Sequence, residues 1–72
     1  MITKQQAVDA RHGDIFHHVS ETNADGTPLR VRVTGKCKTW KRDTNRFRLP
    51  VKYGLKQSLA IDQDNANQWV KP

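Results

Sequence analysis

The chain has 72 residues, 35% of them apolar and 28% charged, with one cysteine and a net charge of +6. That length allows one small domain with a small core, and the lone Cys37 excludes an internally disulfide-bonded scaffold. No apolar run approaches membrane-spanning length and the start lacks a signal-peptide core, so the expected location is the cytoplasm, with no membrane partner.

The charge is uneven along the chain. Residues 29–56 hold ten Lys and Arg against Asp43 alone, a net of +9, while the segments on either side are slightly acidic. A concentrated basic segment favours an anionic partner, most often nucleic acid. The plainer reading is that net charge keeps a small protein soluble.

In chain order, "TKQQAVDAR" predicts a short helix. Thr3 is its N-cap, Gln6 stands at capping-box spacing, and Gly13 stops it. "GDIFHHVS" predicts a first strand, with Ile15, His17 and Val19 on one face and Phe16 and His18 on the other. "ETNADGTP" is turn chemistry, and Asp25-Gly26 is a hairpin signal. "LRVRVTGKCKTW" then predicts a second strand. Leu29, Val31, Val33, Cys37 and Thr39 form an inward row; Arg30, Arg32, Lys36, Lys38 and Trp40 fall on the outward one. Gly35 leaves an alternative open. A bulge there shifts the phase, turning Trp40 inward.

"KRDTN" predicts the next turn, and "RFRL" a strand with Phe47 and Leu49 inward and Arg46 and Arg48 outward. Pro50 cannot donate to a ladder and is expected at a strand edge or bend. "VKYGLKQSLAI" predicts one or two further strands, broken near Gly54. "DQDNANQWV" predicts a helical turn capped by Asp62 and docked by Trp69.

The expected fold is mainly β. It is a small, strongly bent antiparallel sheet or SH3-like barrel of 4–5 strands, with short helical segments at both ends. An open sheet with one helix across it is the alternative. A single domain spans 1–72: a loosely held helical segment at 1–12, a β core at 13–61 and a helical turn at 62–70.

The stretch "GKCKTWKRDTNRFRLPVKYGL", with "GDIF" before it and "ID…NANQW" after it, resembles a group of small uncharacterised proteins encoded by tailed bacteriophages. The resemblance covers roughly Gly13 to Trp69. It implies a shared fold and a phage-encoded accessory protein acting in the bacterial host cytoplasm. It transfers no catalytic or binding residues.

No enzyme is expected. Cys37, Ser20 and Ser58 have no nucleophile signature around them. Lys36 and Lys38 beside Cys37 would lower its pKa if the thiol were exposed; the plainer reading is a small buried residue. His17 and His18 point to opposite faces of a strand, so no metal site is expected from them, and no cofactor is assigned. The scattered Asp residues read as caps and turn formers.

The candidate interface is Arg30, Arg32, Lys36, Lys38, Trp40, Lys41, Arg42, Arg46 and Arg48. If the strands pair through "KRDTN", their cationic rows lie side by side and contact phosphates. Trp40 or Tyr53 on that face would stack on an unpaired base. Against this, a wet sheet face is ordinarily basic, and so small a domain needs its Trp inside. The expected function is therefore non-enzymatic binding of nucleic acid or another polyanion. The alternatives are a modulator or inhibitor of an acidic host protein, or a small virion assembly component.

Overall fold

The computed structural model describes residues 1–54 and 57–72; Leu55 and Lys56, part of the predicted break after Gly54, lie outside the described residues. Seven regular elements and a 3₁₀ turn follow in order: helix α1 (Lys4–Asp9), strands β1 (Ile15–Thr22), β2 (Pro28–Val33), β3 (Lys38–Thr39), β4 (Phe47–Tyr53) and β5 (Gln57–Asp62), the 3₁₀ turn (Ala66–Gln68), and β6 (Trp69–Val70).

The local signals act as expected. Thr3 Oγ1 accepts from the Gln6 N–H at 3.1 Å, and Gln6 Oε1 accepts from the Thr3 N–H at 2.9 Å, closing the capping box. The β1–β2 loop closes through Asn23 N–H to Thr27 O at 2.8 Å, with Gly26 at φ +86°. A left-handed residue there suits glycine. The C-terminal segment differs. Asp62, expected to cap a helical turn over 62–70, instead ends β5, and its Oδ1 accepts from the N–H groups of Asp64 and Asn65. The 3₁₀ turn covers only Ala66–Gln68 with Asn65 at its N-cap, and Trp69–Val70 is a strand. Asp62 fixes the turn that leads into the 3₁₀ segment.

All six strands lie in one antiparallel sheet. β4 is its centre. β5 runs along one edge of β4, from Arg48↔Asp62 to Tyr53↔Gln57. β2 and β3 share the other edge, through Val33↔Val51 and Lys38↔Arg48. β1 pairs with the far side of β2, and β6 with β1.

One face of the sheet carries the core. Phe16, Val31, Val33, Phe47, Leu49, Val51 and Ile61 are all buried. Ile2 and Ala7 bring α1 onto that face, and Ala66 and Trp69 bring the chain end. Ile2 is 2% exposed and its N–H donates to Ala66 O at 3.0 Å, so the N-terminal segment is docked rather than loose.

The sheet does not close into a barrel. Asn65 supplies a physical reason. In a strand, the N–H and C=O of one residue point to the same edge. At Ala60 and Asp62 they point away from β4. Asn65 Nδ2 donates to Ala60 O at 2.9 Å, and Asn65 Oδ1 accepts from Asp62 N–H at 3.0 Å. One side-chain amide thus occupies the edge that a closing strand would need. β6, with two residues, pairs with β1 instead.

Pro50 also departs from expectation, sitting mid-strand opposite Ala60. Its carbonyl accepts from Thr34 N–H at 3.1 Å, so its missing N–H faces the same edge. That edge is where β2 gives way to β3 and the ladder lapses. A proline costs no hydrogen bond there.

Candidate nucleic-acid interface

The phase question at Gly35 is answered by register. Val33 pairs with Val51 and Thr39 with Phe47. Six residue steps on one side therefore span what four steps span on β4. The link at 34–37 leaves the ladder with two extra residues, and an even insertion preserves the alternation of faces. A Cβ at Gly35 would stand 3.1 Å from Pro50 Cγ, so the link lies close against the proline ring.

Trp40 consequently stays on the wet side. It is partly exposed and outside the core cluster, against the expectation that so large a residue would be needed inside. The core is filled instead by Phe16, Phe47 and Trp69. The β3–β4 register brings Trp40 opposite Arg46. The Arg46 guanidinium lies over the indole at 4.1 Å from the ring centroid, and Lys38 Nζ at 5.2 Å. Such cation–π contacts hold charge over the ring face. Tyr53 is not part of this surface. It packs against the core and its hydroxyl is hydrogen-bonded to Asn23 Oδ1 at 3.3 Å.

The candidate cations fall into two groups on one face. Arg30 and Arg32, both exposed on β2, form the first. Lys52, absent from the sequence-derived set, joins them directly opposite Arg32. With Ile15 and Gly54 they border a shallow hollow of about 280 Å³. Lys52 shares the parity of Arg46 and Arg48 across Pro50. That signal is lost when the proline is read as a break.

The second group is Lys38, Trp40, Arg46 and Arg48. Lys38 and Arg48 are cross-strand partners. The rows at Arg48 and Lys52 lie four residues apart along β4, about 13 Å. Lys36 is exposed in the link between the groups, and Lys41 and Arg42 are exposed in the turn before β4.

Beside the second group lies a cleft of about 430 Å³. Lys38, Trp40, Arg46 and Arg48 form one wall; Asp62, Gln63 and Asp64 form the other. Gln63 Oε1 accepts from the Phe47 N–H at 3.2 Å, which extends the β4–β5 ladder by a side chain and orients the amide.

Cys37 is half-buried, and burial raises its thiol pKa above the ordinary value, with smaller opposing contributions from the backbone at Arg48 and from Lys4. The flanking lysines do not activate it. His18 faces Trp69 edge-on at 5.0 Å, and its Nδ1 accepts from the N–H groups of Ser20 and Glu21. Among the described residues, no three His, Cys, Asp or Glu side chains gather as a metal site. No helix there is long and apolar enough to cross a membrane. Compared with protein-family models, curated proteins and solved structures, the chain matches none.

Proposed function

We propose that this chain is a non-enzymatic nucleic-acid-binding protein that uses the wet face of its sheet, with single strands as the preferred form. The carrying observation is the second cationic group: a partly exposed Trp40, stacked by Arg46 and flanked by Lys38 and Arg48. Aromatic platforms set among cations suit single strands, because every base has a face to stack and every linkage a phosphate to neutralise. Arg30, Arg32 and Lys52 extend the phosphate-binding track along the same face. The resemblance to small tailed-phage proteins supports an accessory role in the cytoplasm of a bacterial host.

The test is a titration with labelled single-stranded and double-stranded DNA at low and moderate salt. Binding that favours the single strand and weakens steeply with salt is expected. Binding absent even at low salt would remove the reading. Retention of one acidic protein from a host lysate, with no DNA binding, would favour the host-protein modulator instead.

A further inference from the structure

The cleft beside Trp40 has two chemically different walls, and a phosphate track needs only one of them. The β3–β4 wall offers an aromatic–guanidinium stack and cations. The facing wall offers acceptors. Asp64 lines the cleft, and its own N–H is held by Asp62 Oδ1 at 2.9 Å. Gln63 has committed its Oε1 to Phe47 N–H, which leaves its Nε2 as a donor. Carboxylates repel a phosphate, so the backbone of a bound strand is steered to the Lys38–Arg48 side. A base that faces Asp64 must instead turn hydrogen-bond donors to it.

We infer that this cleft holds one unpaired guanine base, stacked against Trp40 and Arg46, with its Watson–Crick edge turned to Asp64 and Gln63. The inference rests on the single-strand reading above. Guanine is the one common base with two adjacent donors on that edge, N1–H and the N2 amino group, which match the two oxygens of a carboxylate. Its neighbouring O6 is an acceptor suited to the Gln63 amide N–H. Thymine and uracil place a single donor between two carbonyls, which a carboxylate opposes. Adenine and cytosine place a bare ring nitrogen beside their amino group. A cleft of about 430 Å³ lies within the range of small-molecule sites.

The experiment compares an oligothymidine strand of about twelve nucleotides, within the usual single-strand site sizes, with the same strand carrying one central guanine or one hypoxanthine. Anisotropy is read at fixed salt for the wild-type chain and for Asp64→Asn. Asp64 is exposed, so this substitution spares the core. One guanine is expected to tighten wild-type binding about tenfold, and hypoxanthine, which lacks the N2 amino group, by less. Asp64→Asn is expected to abolish the preference while binding oligothymidine as tightly or more tightly, because a negative charge has gone. If oligothymidine binds and guanine adds nothing, the guanine site is refuted and the single-strand reading stands. A preference that survives Asp64→Asn also refutes the site. If neither strand binds at low salt, both readings fall.

Discussion

The two tryptophans make opposite predictions, and replacing each with alanine separates the core from the binding face. Trp69 is 6% exposed and packs on the core side against His18. Removing a buried Trp costs about 3–5 kcal/mol. A 72-residue domain holds about 4–11 kcal/mol in total, so Trp69→Ala removes between about a quarter and all of that stability. Trp40 stands outside the core and contacts the flexible side chains of Arg46 and Lys38. The loss in Trp40→Ala is mainly a partly exposed cation–π contact, about 1 kcal/mol. Binding should respond in reverse order. Losing one stacked base costs about 1–3 kcal/mol, roughly fivefold to 150-fold in affinity. Urea unfolding gives the stabilities, and anisotropy with a single-stranded oligonucleotide gives the affinities. A Trp40→Ala chain as destabilised as Trp69→Ala would refute the placement of Trp40. A stable Trp40→Ala chain with unchanged affinity would refute its role as a platform.

Two further predictions concern the sheet edge and the hairpin. Asn65→Ala removes the amide that covers Ala60 O and Asp62 N–H. The expected loss is about 1–3 kcal/mol, with concentration-dependent self-association through the freed β5 edge; light scattering that stays monomeric at all concentrations would contradict this. Asp25 has its carboxyl pKa lowered below 3.8, first by the Thr27 hydroxyl and then by the Thr27 N–H. A depressed carboxylate pKa stabilises fully above 3.8 and loses that contribution as pH falls through the lowered value. The Thr27 amide resonance should therefore titrate below 3.8, and Asp25→Asn should flatten it; a midpoint at or above the ordinary value would refute the contact.

Much of the fold is legible locally because its signals are local. The capping box at Thr3 and Gln6, the Asp25-Gly26 loop, the alternation of Phe47 and Leu49 with Arg46 and Arg48, and the Asp62 turn each depend on residues a few positions apart. What the sequence hides depends on partners far along the chain. Pro50 sits mid-strand only because the β2–β3 edge lapses opposite it. Asn65 reads as a turn residue until β5 is placed beside it, and only then does it explain why the sheet stays open. Volume alone argues for Trp40 inside, but the insertion at the Gly35 link is two residues long, visible only in the register, and so leaves it on the wet side. Within the interface, the alternating arginines were readable. The pairing of Lys52 with Arg32, and the acceptor wall at Gln63 and Asp64, came only with the fold.

The central claim is that the wet face of the sheet neutralises phosphates, and its most direct measurement is the salt dependence of single-strand affinity. Arg30, Arg32, Arg46 and Arg48 are all exposed, so their joint replacement by Gln leaves the core intact. If each neutralises one phosphate, the slope of log affinity against log salt should become shallower by about 3, with urea stability changed by about 1 kcal/mol or less. A quadruple variant that stays folded and keeps the wild-type affinity and slope would contradict the account.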